Sequence, residues 1–266
     1  MENVTKSFGP HQVLRGVSMN VDKGDVYGPI GKNGAGKTTM FKLLLGLSGS
    51  DSGNISICGG KDAKENNSNR RKIGFSLAPN YHPYLTGRAN LDYFRRMKGI
   101  SDKSEVDRVL EIVGLDRQAA SRKAGGYSLG MKQRLGVAQA LLGNPEILIF
   151  DEPTNGLDPQ GILDIRKLIG RLNSDYGMTV IVSSHILDEL QHTAKRFGII
   201  NDGVMVAEMT QEDLLSRSGM MNIAVEEKDS ERAQELLRSN GIEVKEVEKK
   251  VTSLEDFYFD LVGGDK

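Results

Sequence analysis

The chain carries the segment Gly31-Lys32-Asn33-Gly34-Ala35-Gly36-Lys37-Thr38, which satisfies the pattern G-x-x-x-x-G-K-[ST]. This pattern indicates a phosphate-binding loop when a strand precedes it and a helix follows it. Both neighbours are predicted here, because Val26 to Ile30 is a short apolar run and Lys37 to Leu47 places apolar residues at helical spacing. The sequence therefore predicts a strand, a phosphate-binding loop and a helix in that order.

Each residue type in the loop suits phosphate chemistry. Gly34 and Gly36 allow the backbone to approach a phosphate without a Cβ clash, and the N terminus of the following helix adds partial positive charge. Lys37 is expected to reach the β- and γ-phosphates, and the Thr38 hydroxyl to hold Mg²⁺. A glycine-rich turn that only caps a core helix is the alternative, and the strand and helix on either side disfavour it. The predicted nucleotide-binding residues of the loop are Asn33, Gly34, Ala35, Gly36, Lys37, Thr38 and Thr39.

An apolar run that ends in two carboxylates, Ile147-Leu148-Ile149-Phe150-Asp151-Glu152, predicts a buried strand. Ligands of α/β proteins bind at the carboxyl edge of the sheet, so the two acids are expected near the phosphates. Asp151 suits a magnesium ligand, acting through a water, and Glu152 suits the general base that polarises an attacking water. A strand that ends in two acids usually means only that the strand meets solvent. The phosphate-binding loop in the same chain favours the functional interpretation.

The composition is that of an ordinary globular protein. The 266 residues are 38% hydrophobic and 27% charged, and a formal net charge of -1 offers no overall cationic field for nucleic acid or an acidic membrane. Cys58 is the single cysteine, which excludes an internal disulfide, and the first residues lack the apolar core of a secretion signal. The longest apolar runs fall far short of the roughly 20 residues that cross a bilayer. We expect a chain in the reducing cytoplasm, with any spanning of a membrane left to another protein.

Strand and helix patterns alternate along the chain, which predicts an α/β fold. Short apolar runs of the kind found in parallel strands covered on both faces occur at Ile73 to Leu77, Thr179 to Ser183 and Phe197 to Asn201. Asn201-Asp202-Gly203 predicts a hairpin into the run Val204 to Ala207. The polar run Lys61 to Lys72 is predicted to be a solvated loop. The periodicity weakens after Arg217, which predicts a small appended unit. Its predicted elements are a strand, a helix at Ser230 to Ser239, two short strands and a last amphipathic turn around Leu254 to Leu261.

Three further segments, taken with the phosphate-binding loop, resemble the nucleotide-binding subunit of an ATP-binding cassette (ABC) transporter, over about Asn3 to Arg217. Tyr127-Ser128-Leu129-Gly130-Met131-Lys132-Gln133-Arg134 is similar to the signature motif of this family, in a variant of bacterial exporters of the bacitracin or lantibiotic immunity type. Asn155-Gly156-Leu157-Asp158 resembles the D-loop, and Ser184-His185 resembles the switch histidine. Phe8 resembles the aromatic residue on which adenine stacks.

The resemblance implies a fold, an activity and partners. The fold is an α/β cassette at 1–217, with a mostly parallel sheet, an antiparallel N-terminal portion and a helical subdomain inserted at 85–144, followed by a small α+β extension at 218–266. The activity is an ATPase that binds ATP and Mg²⁺ and drives a separate membrane-spanning permease from the cytoplasmic face. Two copies pair head to tail, and no nucleic acid partner is expected. The implied catalytic residues are Glu152 and His185, the metal ligands are Thr38 and Asp151, and further nucleotide contacts are Phe8, Ser128, Gly130 and Asp158.

The sequence departs from this family in three places. No Gln or Glu occurs between Ile73 and Leu91, where the family places a residue that contacts Mg²⁺ or the attacking water. Leu77-Ala78-Pro79 stands there instead, which predicts weaker coupling or turnover. Pro29 lacks the amide that a central strand needs. Because Phe8 lies close to the start of the chain, the first edge strand is expected to be short or missing.

Two other classes of function remain open at this point. A nucleotide-gated binding protein with weak ATPase activity is favoured by the missing Gln or Glu and by Pro29. A cassette ATPase of nucleic-acid or ribosome function is disfavoured by the single cassette and the absence of a basic excess. A GTPase is disfavoured because no Asn-Lys-x-Asp segment occurs.

Overall fold

The computed structural model describes residues 1–77, 80–218 and 223–248. Within these residues the strands are β1 Glu2–Phe8, β2 His11–Val17, β3 Val26–Ile30, β4 Ser52–Asn54, β5 Ile73–Ser76, β6 Ile147–Asp151, β7 Thr179–Ser183, β8 Arg196–Asn201 and β9 Val204–Thr210. The helices are α1 Lys37–Leu44, α2 Ala63–Asn69, α3 Gly87–Met97, α4 Glu105–Ile112, α5 Arg117–Ser121, α6 Leu129–Leu141, α7 Pro159–Ser174, α8 Leu187–Gln191, α9 Gln211–Ser218 and α10 Ser230–Ser239.

The described strands form two sheets. The larger has the order β5-β6-β7-β3-β8-β9, and it is parallel except for the hairpin of β8 and β9. The smaller is antiparallel with the order β2-β1-β4. This arrangement confirms the predicted α/β class, with a mostly parallel sheet and an antiparallel N-terminal portion. Asp151 at the end of β6 pairs in register with Ser183 of β7, so these strands end level with each other.

The parallel sheet is buried on both faces, as its apolar strands predicted. In β6, Leu148 and Phe150 belong to the core shared with α3 to α7, whereas Ile149 belongs to the core shared with α1. Successive side chains of a strand point to opposite faces, so a continuous apolar run serves two cores at once. Helix α1 contributes Met40 and Phe41 to its side of the sheet, and neither is exposed.

Pro29 interrupts one side of the central strand. Asp25 O accepts a hydrogen bond from Val180 N of β7, and alternation along the strand therefore turns the Pro29 position toward β7 as well. The pairing of β3 with β7 covers Val26 and Tyr27 and resumes only as an isolated bridge at Ile30. The pairing with β8 includes Pro29 and continues to Ile30. The predicted loss of a ladder hydrogen bond thus falls on the β7 side.

Helix α2 corrects the prediction of a loop at Lys61 to Lys72, which was wrong. Asp62 caps α2 by accepting a hydrogen bond from Glu65 N at 2.8 Å, and Glu65 Oε2 accepts one from Lys61 N at 2.8 Å. This reciprocal capping resembles a capping box and satisfies backbone donors that would otherwise be unpaired. The side chain of Asn66 then anchors the helix by bonding to Ile55 O and Ile57 N.

Two other boundaries differ from the predictions. Strand β1 spans seven residues and is the middle strand of its sheet, so the expectation of a short or missing first strand was wrong. Helix α1 ends at Leu44 rather than Leu47, because Gly46 adopts a left-handed conformation with φ of 72° just after the helix.

The chain divides into two units, Met1–Asp213 and Leu214–Lys266. In the second unit, the described residues 223–248 contain the predicted helix at Ser230–Ser239 and no strand. The predicted amphipathic turn around Leu254 to Leu261 lies outside the described residues. None of the helices in the described part of the chain has the length and apolar character to span a membrane.

Candidate nucleotide site

The loop between β3 and α1 has a backbone that requires glycine. Gly34 and Gly36 have φ of 83° and 111°, in the left-handed region. A Cβ at Gly36 would lie 2.6 Å from Leu14 Cδ2, and a Cβ at Gly31 would clash with Ile200 O. Among the described residues no side chain caps the N terminus of α1. The first-turn amides of α1 are therefore available to an anion.

Lys37 lies inside this loop with its ammonium group surrounded by acceptors. The residue is buried, and its Nζ donates hydrogen bonds to Gly31 O and, at 3.4 Å, to Lys32 O. Glu152 Oε1 lies 3.6 Å from the same Nζ. Lys37 and Glu152, which follows the end of β6, are thus far apart in sequence and close in the structure.

The remaining residues predicted in the loop differ in their exposure. Ala35 is buried, and its carbonyl oxygen accepts a hydrogen bond from Gly203 N at 3.1 Å, which ties the loop to the hairpin of β8 and β9. Asn33 is exposed, and Thr39 lies half-buried in the first turn of α1.

Asp151 is held by two hydroxyl groups. Thr38 Oγ1 donates to Asp151 Oδ2 at 2.5 Å, and Ser183 Oγ donates to Asp151 Oδ1 at 2.6 Å. Ser183 is completely buried and also accepts a hydrogen bond from Glu152 N at 3.0 Å. Ser183 is not among the site residues predicted from the sequence. Its only signal was a polar residue at the end of an apolar strand, at a position that pairs with Asp151.

Glu152 is aimed by an unusual backbone and by a histidine. Its φ is 49°, a left-handed value rarely adopted by residues other than glycine. Its Oε2 lies 3.1 Å from His185 Nδ1. Glu152 therefore stands between the ammonium of Lys37 and the imidazole of His185, at the carboxyl edge of the sheet.

Ser128, Gly130 and Asp158 belong to a second group of residues. Ser128 caps α6 by accepting a hydrogen bond from Met131 N at 3.3 Å, and Asp158 caps α7 by accepting one from Gly161 N at 3.1 Å. The two helix starts are close, since a Cβ at Gly130 would lie 4.0 Å from Leu157 Cδ2. These residues thus combine two capped helix starts on one part of the surface.

A cleft of about 100 Å³ lies beside Glu152 and His185. Its lining includes residues from the end of β6, the following loop and the segment after β7, namely Glu152, Thr154, Asn155, Gly156, Leu157, Ile162, Ser184, His185 and Ile186.

Two further positions considered in the sequence are Phe8 and the segment that follows β5. Phe8 ends β1, is 52% exposed and has Lys6 Nζ 5.4 Å from the centroid of its ring. Ala78 and Pro79, at the position where the family places Gln or Glu, lie outside the described residues. Ser76, the nearest polar residue before them, ends β5 and pairs in register with Phe150.

The ABC transporter family model matches residues 14–155 of this chain, from β2 through the loop after β6. The chain belongs to the ABC transporter family. It is 36% identical to the bacitracin transport ATP-binding protein BcrA of Bacillus licheniformis, over 98% of this chain and 96% of that protein. It is 42% identical to the lantibiotic transport ATP-binding protein SrtF of Streptococcus pyogenes, over 78% of this chain and 89% of that protein.

Among solved structures, the chain resembles the ATP-binding cassette MJ0796 in a dimeric post-hydrolysis state bound to ADP and Pi. The TM-score is 0.69 and the identity 29%, over 79% of this chain and 97% of that one. As a member of the ABC transporter family, the chain is an ATP-binding and ATP-hydrolysing subunit that powers a separate membrane-spanning subunit. The relatives favour neither the regulatory nor the nucleic-acid alternative.

Proposed function

We propose that two copies of this ABC subunit pair head to tail and enclose ATP, and that their closing and opening drives export of a peptide antibiotic or a lipid-like amphiphile. The observation that carries the proposal is the position of Glu152 between Lys37 and His185, beside a helix N terminus without a side-chain cap. The relatives support the cargo class, since BcrA and SrtF are named for bacitracin and lantibiotic transport. The dimeric state of the MJ0796 cassette supports the pairing of two copies.

The phosphate-binding loop of one copy would bind the triphosphate. The amides at the start of α1 and the Lys37 ammonium would donate hydrogen bonds to phosphate oxygens, and the exposed ring of Phe8 would stack on the adenine. A triphosphate that binds Lys37 would compete with Glu152 for the ammonium. Ser128, Gly130 and Asp158 of the second copy would then close over the γ-phosphate.

Thr38 and Asp151 fit a magnesium ion. A hydroxyl and a carboxylate with oxygens 2.5 Å apart are the hard ligands that Mg²⁺ prefers. No cluster of three or more His, Cys, Asp or Glu side chains that could hold a metal occurs in the described part of the chain, which suits an ion that keeps waters and takes phosphate oxygens. When bound, Mg²⁺ neutralises the charge that develops on the phosphates during transfer.

Hydrolysis would use Glu152 as the general base. Its carboxylate accepts a proton from water, the water oxygen forms a bond to the γ-phosphorus, and the bond from that phosphorus to the oxygen of ADP breaks. His185 fixes the direction of Glu152, and Ser183 fixes its backbone through the hydrogen bond from Glu152 N. Because these contacts hold the carboxylate in place before the reaction, little reorganisation is needed.

The proposed working place is the cytoplasmic face of the membrane, where the subunit binds its membrane-spanning permease. The supporting observations are the transporter names of the relatives and their similarity along most of this chain. The cargo would then cross the membrane through this separate permease.

The central test is Glu152→Gln with ATP. We expect ATP to convert this variant from monomer to dimer in size-exclusion chromatography with light scattering, and phosphate release to fall by about 100-fold or more, the range typical of losing a general base. Glu146→Gln, which changes an exposed acid, is the matched control and should hydrolyse ATP like the parent. A Glu152→Gln chain that stays monomeric with ATP, or keeps full turnover, would contradict the proposal.

A further inference from the structure

Asn90 is a completely buried amide in the first turn of α3, and it shapes the loop before that helix. Its Oδ1 accepts a hydrogen bond from His82 N at 2.7 Å. Its Nδ2 donates to His82 O at 3.0 Å, to Thr86 O at 3.0 Å and to Leu85 O at 3.4 Å. One side chain therefore sets the backbone path from residue 82 to residue 86. Because Asn90 is completely buried, loss of these hydrogen bonds would be costly.

This loop is hydrogen-bonded to the segment that leads into Ser128. Three backbone bonds join them, Gly125 N to Pro83 O at 2.9 Å, Ala124 N to Leu85 O at 2.9 Å and Gly87 N to Arg122 O at 3.2 Å. A β-bridge between Thr86 and Lys123 lies among them. The two segments are therefore held together as a short antiparallel pair, and the position of one depends on the shape of the other.

Tyr127, the residue before Ser128, is enclosed by the same loop. It is buried, and its hydroxyl donates a hydrogen bond to Ala119 O at 2.7 Å. A Cβ at Gly87 would clash with that hydroxyl. The start of α3 and the residue next to Ser128 thus fit against each other with no space for one further carbon atom.

We propose that Asn90 is a positioning residue for Ser128: through the loop at 82–87 and Tyr127 it sets where the start of α6 meets the nucleotide of the second copy. The inference rests on the proposed function, since Ser128 matters for ATP only in a head-to-tail dimer. Asn90 lies far from Lys37 in the sequence, and its side chain bonds to the loop at 82–86 rather than to the phosphate-binding loop. It therefore acts on closure of the dimer and not on binding of ATP to the monomer.

Asn66 provides a matched control for the loss of a buried asparagine. It also holds a loop, with Oδ1 accepting from Ile57 N at 2.8 Å and Nδ2 donating to Ile55 O at 2.9 Å. It is buried like Asn90, but it lies on α2, and its partner Ile57 belongs to the core shared with α1. Replacing either residue removes the hydrogen bonds of a buried side-chain amide. Of the two, only Asn90 is connected to Ser128.

The experiment compares Glu152→Gln, Asn90→Leu/Glu152→Gln and Asn66→Leu/Glu152→Gln, with ATP as the probe. Monomer affinity is measured with dilute protein, and the dimer is measured by light scattering over a protein titration. We expect Asn90→Leu to leave monomer affinity within about twofold and to raise the protein concentration for half-dimerisation by about tenfold or more. Asn66→Leu should not change dimerisation.

The outcomes separate the two proposals. Failure of Glu152→Gln alone to dimerise would overturn the proposed function. Normal dimerisation of the Asn90 variant, equal impairment by Asn66→Leu, or a parallel loss of monomer ATP affinity in the Asn90 variant would each overturn the positioning inference.

A second pair of variants tests the route through Tyr127 and keeps the inference testable if Asn90→Leu does not fold. In the Glu152→Gln background, Gly87→Ala should weaken ATP-driven dimerisation, because its Cβ meets the Tyr127 hydroxyl. Adding Tyr127→Phe removes that oxygen and should restore part of the dimer. Equal dimerisation with and without Gly87→Ala, or no restoration by Tyr127→Phe, would contradict the inference.

Discussion

At the scale of a single residue, Ser183 links Asp151, the last residue of β6, to Glu152, which follows it. Its hydroxyl donates to Asp151 and accepts from the backbone of Glu152. Sequence patterns predicted that the phosphate-binding loop and the acids Asp151 and Glu152 lie close together, because such a loop and an acidic strand end share one edge of a parallel sheet. They could not single out Ser183, since a serine at a strand end is common and its use depends on the register of β6 with β7.

Ser183→Ala should lower both turnover and stability. Removing the hydroxyl leaves the Glu152 amide and one Asp151 oxygen without a hydrogen bond, at an expected cost of about 1–3 kcal/mol in the free energy of unfolding. We expect kcat to fall by about tenfold, since each 1.36 kcal/mol in the barrier changes the rate by that factor. Urea unfolding and phosphate release measure the two effects. Ser174→Ala, at an exposed position, should change neither.

Gly36→Ala should damage the phosphate-binding loop. The residue has φ of 111°, and an added Cβ would meet Leu14 Cδ2 at 2.6 Å. We expect destabilisation of about 1 kcal/mol or more, because both the backbone and the contact are strained, together with a large loss of ATP affinity. Scanning calorimetry measures the stability, and titration calorimetry measures the affinity for ATP. Gly49→Ala, where the added Cβ meets nothing within 4 Å, is the control. Unchanged affinity in Gly36→Ala would contradict the importance of this backbone.

At the scale of elements, composition misled the prediction for α2, whereas local signals would have found it. The run from Lys61 to Lys72 is strongly polar, and polarity alone predicts a solvated loop. Its asparagine and serine residues are also poor helix formers. Asp62 and Glu65 carried the spacing of a capping box. The buried amide of Asn66 then supplies a tertiary anchor that no helical pattern contains.

Tyr27 joins the central strand β3 to the edge strand β9. Its buried hydroxyl donates to Glu208 Oε1 at 2.6 Å. Burial first, and this hydrogen bond second, raise the pKa of Tyr27 above its usual value. The unfolded chain loses the phenol proton as the pH passes about 10, while the folded protein retains it. The contribution to stability is therefore complete below this pH and declines above it.

Tyr27→Phe should remove this part of the alkaline sensitivity. Between about pH 9 and 11 the free energy of unfolding of the parent should fall more steeply than that of Tyr27→Phe, because only the parent releases this proton on unfolding. Urea titrations across that range measure the slopes. Tyr176→Phe, at a 43% exposed tyrosine, should keep the slope of the parent. Parallel slopes for the parent and Tyr27→Phe would contradict the assignment.

At the scale of the whole molecule, the alternation of strands and helices predicted the fold class but not the order of strands. β3 lies between β7 and β8, which are about 150 residues further along the chain. That neighbourhood depends on which helices cover which face, and such packing is a property of the assembled core. The prediction of a separate unit after residue 217 rested on a change in periodicity, and the second unit begins at Leu214.

A chain that stops after Ser218 tests whether the first unit is sufficient to bind ATP. The first unit contains both described core clusters and every residue predicted to contact nucleotide. We expect the shortened chain to unfold in one cooperative transition and to bind ATP within about threefold of the parent affinity. Loss of ATP binding in a chain that still melts cooperatively would show that the second unit contributes to the site.

The left-handed backbone at Glu152 has a consequence for any attempt to improve this protein by directed evolution. A glutamate at φ of 49° raises the energy of the native state by about 1 kcal/mol, an amount that glycine at the same place would recover. A variant library sorted for heat resistance alone would accordingly enrich glycine at this position and yield stable but inactive proteins. Retention of glutamate depends on screening for turnover as well, because folding and chemistry make opposite demands on one amino acid.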